Sequence, residues 1–283
     1  MLLTLLSCGA DRTAPSSPAP VLPYTLEESA QGLTCAFPDY HIALQYGAPM
    51  GIVSLRLKGQ PWDFVHPQLV AGDWEWFWFQ EEGRADTAKI KLLQPQWDRP
   101  EIETHPEEVV VRFRRAEVLK PGITLQIEYH LRAAEPAFTI EYSIDNDSAL
   151  TLIRPYMMVG FPGFTDHAWI NTVANARSLR QPLLPFANFL EEAKAKGLAE
   201  FTLLRDDTAL AEDRPLRGIV GISALGATYL LEASHTPGPG LRQIFSAHVN
   251  KPGYLTSHLY VSMADLAPGG HQSTAVQYEL VKL

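Results

Sequence analysis

Apolar and polar residues alternate singly along much of the chain. In the segment 123–131 (ITLQIEYHL), Leu125, Ile127, Tyr129 and Leu131 fall on one side, and Gln126, Glu128 and His130 on the other. That period of two is the signature of a half-buried strand. Comparable runs recur at 40–46, 51–57, 107–114, 137–144, 218–224, 227–233, 242–249, 254–263 and 272–283. Turn-forming residues stand between them: Gly47-Ala48-Pro49, Lys58-Gly59-Gln60-Pro61, Lys120-Pro121-Gly122 and Asp145-Asn146-Asp147-Ser148. The Pro-Gly turn joining 107–114 to 123–131 predicts a hairpin, because proline presets one turn dihedral and glycine accepts the left-handed one. Only 188–200 (NFLEEAKAKGLAE) has a helical look, with Asn188 as N-cap and glutamate preceding lysine at helical spacing. No internal repeat and no second linker interrupts the pattern. It predicts an all-β chain built as a large antiparallel two-sheet sandwich.

The alternation is most conspicuous at 71–80 (AGDWEWFWFQ), which holds half of the six tryptophans. If 73–79 is a strand, Trp74, Trp76 and Trp78 share one face, and Glu75, Phe77 and Phe79 share the other. Two readings stay open. Both faces could be packed between sheets, or one indole could offer its flat apolar surface to the C–H face of a pyranose.

Composition narrows the class. With 46% apolar residues the chain can bury a sizeable core, and 22 prolines with 19 glycines suit a fold of many turns. A formal charge of −9 argues against a nucleic-acid partner, which needs a concentrated basic surface. No run approaches the roughly 20 apolar residues that span a bilayer. The chain opens MLLTLLSCGA, and Leu5-Leu6-Ser7-Cys8 resembles the lipobox of bacterial lipoproteins, which implies lipidation at Cys8. Residues 9–23 carry four prolines among small and polar residues, the composition of a solvated tether. The expected organisation is a lipoprotein signal remnant at 1–8, a proline-rich tether at 9–24 and a single β-sandwich domain at 25–283. Membrane contact is then expected only through an N-terminal lipid, and the location is the bacterial cell envelope, periplasmic or outer-membrane. With Cys8 lipidated, Cys35 has no partner for an internal disulfide and reads as a buried small hydrophobe.

Several segments together resemble the galactose mutarotase-like (aldose epimerase) superfamily. Tyr46-Gly47-Ala48-Pro49-Met50-Gly51-Ile52-Val53-Ser54-Leu55-Arg56-Leu57-Lys58-Gly59 is similar to its opening strand pair. The segment 138–147 (FTIEYSIDND) resembles its central strand, which ends in an asparagine-containing turn. Phe164-Thr165-Asp166-His167-Ala168-Trp169-Ile170 is similar to its downstream "D-H" step, and Leu266-Ala267-Pro268-Gly269-Gly270 to its late "L-x-P-G" turn. The resemblance implies a twisted antiparallel sandwich of that type with an open saccharide-binding face. It also implies cofactor-independent exchange of sugar anomers by a glutamate base and a histidine acid. The stretch 153–160, where the family carries that histidine, holds none here; it does hold Arg154.

Anomer exchange needs one group to take the hydroxyl proton and another to protonate the ring oxygen. Glu232 is the only glutamate in 229–250, and His248 is the histidine read as its partner; these two are the catalytic candidates. His235, His258 and the Asp166-His167 pair also enter consideration, because histidine titrates near neutrality. The bland reading of each is a hydrogen-bonded strand histidine or, for Asp166-His167, a self-capping turn. His248 and His258 bracket Asn250-Lys251-Pro252-Gly253, so a hairpin would bring them onto adjacent strands. Substrate-binding candidates are Arg154, Trp74, Trp76, His167 and His258, the arginine because its planar fork suits carboxylates or vicinal hydroxyls. No cofactor and no metal are expected: there is no phosphate-binding glycine loop, no metal-helix motif and no nucleophile elbow. Glu81-Glu82 and Glu191-Glu192 read as solvated faces. The expected ligand is a carbohydrate, bound either by an epimerase or mutarotase or by a non-catalytic glycan-binding or envelope-assembly lipoprotein.

Overall fold

The computed structural model describes residues 22–60, 63–65, 76–83, 87–91, 97–164, 168–173, 184–185, 216–224, 227–235, 242–251 and 254–282. Every regular element among them is a strand, and every pairing is antiparallel. Four strands near the N-terminus form a meander: β1 (Thr25–Glu28), β2 (Gly32–Ala36), β3 (Tyr40–Gln45) and β4 (Gly51–Leu57).

A five-stranded sheet uses β5 (Trp76–Glu81), β6 (Thr87–Lys91), β11 (Leu152–Phe164), β16 (Arg242–Lys251) and β17 (Tyr254–Ser262). Its order is β16-β17-β11-β5-β6. A nine-stranded sheet takes β7 (Glu101–Thr104), β8 (Glu108–Arg115), β9 (Ile123–Arg132), β10 (Ala137–Asn146), β12 (Ala168–Val173), β13 (Leu184–Pro185), β14 (Leu216–Ala224), β15 (Ala227–His235) and β18 (Gly270–Lys282). Its order is β13-β12-β14-β15-β18-β10-β9-β8-β7. The helix expected at 188–200 lies outside the described residues.

Register explains the core. Across β8, β9, β10 and β18, Phe113, Ile127 and Tyr142 form one cross-strand row and Leu131, Phe138 and Tyr278 another. All six are buried, whereas Gln126, Glu128 and His130 on the alternate positions of β9 are only half-buried. Such rows are where a sheet gains its packing energy. One apolar cluster runs from Cys35, Ile42 and Leu55 in the meander through Phe79 and Met157 to Ile140 and Val276. The Tyr40 hydroxyl donates to the carbonyls of Arg132 (2.9 Å) and Ala137 (3.2 Å), fastening the meander to the β9–β10 hairpin. Cys35 is buried and free, as expected, and burial pushes its thiol up to about 12.

Two expectations need correction. Glu81 is not on a solvated face: it is buried at the end of β5 opposite Leu152, with its Oε1 2.8 Å from Lys120 Nζ. The cause is parity, since residue 81 falls on the same side of the strand as Phe77 and Phe79. Glu82, one residue on, is exposed. The second concerns β11, which the alternation does not predict because Pro155, Gly160, Pro162 and Gly163 interrupt it. Among the described residues, Pro162 pairs with Thr256 of β17 alone.

Candidate functional site

β5 decides which of its faces is open. Phe77 and Phe79 are 0% exposed and belong to the core, whereas Trp78 between them is half-buried. The phenylalanine side therefore packs inward, and the tryptophan side looks outward. Trp78 is not isolated there: its ring lies 4.2 Å from that of Tyr156 at 31°. Tyr156 is its register partner on β11 and is also half-buried, while the next residue, Met157, is buried opposite Phe77. Two aromatic rings thus stack on each other on the side of β5 and β11 away from Phe77 and Met157.

Following the ladders outward extends this face. One row runs Lys89, Trp78, Tyr156, Ser262, Arg242 across all five strands. The next runs Lys91, Trp76, Met158, Tyr260, Ile244. In the row after that, His258 pairs with Gly160 and Ser246, and in the following one His248 pairs with Thr256. His248 and His258 are thus diagonal neighbours on adjacent strands, the arrangement expected of their hairpin.

Arg154 sits where β11 is irregular. Ile153 pairs with Gln80 and Tyr156 with Trp78, so β11 carries one extra residue against β5, a β-bulge. Arg154 has φ 44°, in the left-handed region that non-glycine residues rarely enter. Its side chain is exposed and makes no ion pair with any described residue. The strained backbone is held from the chain's far end. The Arg154 N–H donates to Asp265 Oδ1 (2.9 Å), the Met263 N–H to the Pro155 carbonyl (2.8 Å), and Leu152 and Leu266 exchange both backbone bonds (2.9 Å each). Strain retained by such over-determination is a common mark of functional positions.

Of the residues singled out by sequence, Arg154, Trp76, His248 and His258 fall on the five-stranded sheet. Glu232 falls on the nine-stranded sheet, in β15 between Ile219 and Glu279. Trp74, His167 and Cys8 lie outside the described residues. Sequence reasoning missed Tyr156, although its place two residues after Arg154 in the segment where the resemblance builds its site was an available signal. Among the described residues, no group of three histidine, cysteine, aspartate or glutamate side chains is placed to hold a metal ion.

A groove of about 1050 Å³ lies elsewhere, along the meander, lined by Thr34, Ala43, Tyr46, Trp97 and Arg99 among others. Its charged walls pair with each other, Arg99 Nη2 lying 2.8 Å from Glu28 Oε1, and its one tryptophan, Trp97, is 6% exposed. It offers no indole face as open as that of Trp78.

No family model matches this sequence, and no curated protein does either. Solved structures do. A galactose mutarotase-like protein from Clostridium acetobutylicum superposes with a TM-score of 0.56 at 8% identity, covering 93% of this chain and 99% of that one. An α-galactosidase from Geobacillus stearothermophilus, solved in complex with raffinose, superposes with a TM-score of 0.51 at 11% identity, covering 89% of this chain and 41% of that one. At these identities the likeness is one of fold.

Proposed function

Taking the galactose mutarotase-like fold as the premise, we propose that this protein binds carbohydrate on the outward face of the five-stranded sheet. The observation that carries the proposal is the Trp78–Tyr156 pair, half-buried beside the fully buried Phe77, Phe79 and Met157. The stacked pair keeps part of its aromatic surface exposed, and such surface suits the C–H face of a pyranose. The bulge residue Arg154, itself exposed, supplies donors close by in β11. That one structural neighbour was solved with raffinose supports a saccharide ligand by analogy of fold alone.

The test separates binding from packing. Trp78→Ala is expected to lower saccharide affinity at least tenfold while costing about 1–2 kcal/mol of stability. Phe79→Ala should cost roughly 3–5 kcal/mol, as large-to-small core changes do. Glycan arrays or calorimetric titration, read beside melting curves, check both. Equal stability losses with no loss of binding at Trp78 would make the cluster packing alone.

Binding without catalysis is the form we favour. Among the described residues, Glu232 lies on the nine-stranded sheet and His248 on the five-stranded one, so these two candidates for anomer exchange are not neighbours on one sheet. An aldose epimerase or mutarotase activity is the rival. NMR exchange spectroscopy on glucose and galactose discriminates the two, and acceleration of α/β exchange that Glu232→Gln and His248→Gln each abolish would reverse the preference.

The proposed location is the cell envelope, with Cys8 carrying lipid, on the strength of Leu5-Leu6-Ser7-Cys8 and the proline-rich stretch after it. Expressed behind a complete lipoprotein signal sequence, the protein is expected in the membrane fraction and Cys8→Ser in the soluble one. Identical fractionation of the two would remove this part of the proposal.

A further inference from the structure

We infer that Asp265 is a positioning residue of the saccharide site: by accepting the Arg154 N–H it fixes the bulge from which Arg154 meets the ligand. The inference rests on the carbohydrate-binding reading and extends it to a residue 111 positions away in sequence.

The bulge creates the need. Ile153 pairs with Gln80 and Tyr156 with Trp78, so Arg154 and Pro155 together stand opposite the single residue Phe79. An extra residue of this kind is left without a ladder partner on the facing strand. Pro155 has no N–H to satisfy. Arg154 has one, and a side chain meets it: Asp265 Oδ1 accepts it at 2.9 Å, and bonds to a carboxylate are stronger than ordinary ladder bonds.

The conformation being held is a costly one. Arg154 has φ 44°, which an L side chain disfavours, and the proline that follows drives its predecessor toward extended backbone. A glycine would take that φ freely, whereas an arginine keeps it only under restraint from outside. The restraint comes from one segment. Met263 and Leu266, on either side of Asp265, are bonded through their backbones to Pro155 and Leu152, so the carboxylate is presented from a fixed frame. Those two neighbours are buried and anchor the segment in the core. Asp265 itself is exposed, and among the described residues its hydrogen bond goes to Arg154. Arg154 lies two residues from Tyr156, so the backbone path from its guanidinium to the aromatic pair runs through the bulge. Relaxation of φ at residue 154 would move the arginine relative to the two rings.

The experiment reads hydrogen exchange and binding together. In protein carrying isotope-labelled arginine, the Arg154 amide is expected to exchange slowly. Asp265→Ala should speed that exchange, and Asp265→Asn, which keeps an acceptor oxygen, should not. Raffinose, galactose and glucose are titrated into the full-length protein by calorimetry, with folding checked by melting. Without the restraint, the fraction of molecules holding the native bulge is expected to fall to about a tenth, and affinity with it. Asp265→Ala should thus bind about tenfold more weakly, and Asp265→Asn within about twofold of native. Arg154→Gly loses the guanidinium but not the φ, so in that background Asp265→Ala should add less than about a twofold loss. Native affinity in Asp265→Ala, with binding lost in Trp78→Ala, would overturn the inference and leave carbohydrate binding standing. Unchanged exchange of the Arg154 amide in Asp265→Ala would also overturn it. So would equal losses in the alanine and asparagine variants, or an undiminished cost of Asp265→Ala in Arg154→Gly. No binding of any of the three sugars would count against the carbohydrate reading, and the inference would fall with it.

Discussion

Replacing Asn146 with aspartate is expected to cost about 4 kcal/mol at neutral pH. Asn146 is 0% exposed and uses both ends of its amide. Its Nδ2 donates to the carbonyls of Leu150 (2.8 Å) and Leu266 (2.9 Å), and its Oδ1 accepts from the Ser148 N–H (3.2 Å) and hydroxyl (2.6 Å). An aspartate keeps the acceptor and turns the donor into a second acceptor facing two carbonyl oxygens, with a buried charge added. Burial and those carbonyls would hold the new carboxyl well above its ordinary range. A raised folded-state value means that stability is present below the unfolded value, near 4, and is lost as pH rises above it. The deficit against the native protein should therefore narrow as pH falls toward ~4. Asn146→Ala, which strands the same carbonyls without adding charge, should lose about 2–3 kcal/mol with no such pH dependence. Urea melts of the three proteins between pH 4 and 8 check both claims; a pH-independent deficit for the aspartate variant would refute the account. Leu266 also pairs with Leu152, so damage at Asn146 should be transmitted to the bulge that holds Arg154.

Gly122→Ala is expected to cost about 3 kcal/mol, a fall in melting temperature of roughly 6–12 °C. Two effects add. Gly122 has φ 81°, in the left-handed region, where any side chain is strained. A Cβ there would also stand 2.7 Å from the Ser148 backbone nitrogen and 2.9 Å from the Asp147 carbonyl carbon, neither of which can turn aside. The approach is close because the Gly122 carbonyl accepts the Asp147 N–H at 2.7 Å, joining the β8–β9 turn to the end of β10. Gly59 has a similar φ of 76°, but nothing lies within 4 Å of its Cβ position. Gly59→Ala is thus the control that isolates strain, with an expected loss of about 1 kcal/mol. Equal losses at the two glycines would show that backbone strain, not the contact with residues 147 and 148, sets the cost at Gly122.

The alternation by itself determined the strands, because a period of two is a property of the local backbone and needs no partner. Segment 51–57 is β4 residue for residue, and from Leu125 onward the buried and half-buried positions of β9 follow the sequence order of its apolar and polar residues. The Lys120-Pro121-Gly122 turn was legible for the same local reason, and the ordered motifs pointed to the galactose mutarotase-like fold. Alternation grouped Trp76 with Trp78 and Phe77 with Phe79, but it could not say which pair faces the core. Only the packing of the five-stranded sheet decided that, since either face of an isolated strand is equally apolar. The site is less legible still. Trp78 meets Tyr156, and Lys89 shares a row with Arg242, through ladders joining strands far apart in sequence. Register between such strands is set by the whole sheet rather than by any segment within it. Asn146 reads locally as a turn residue, yet its hydrogen bond to Leu266 spans 120 positions. Glu81 reads as polar and therefore outward, yet it is buried with Lys120, brought from another loop, beside its carboxylate. Where a residue's environment is its own neighbours in the chain, sequence suffices; where it is assembled by strand pairing and by side chains reaching across sheets, only the tertiary structure decides.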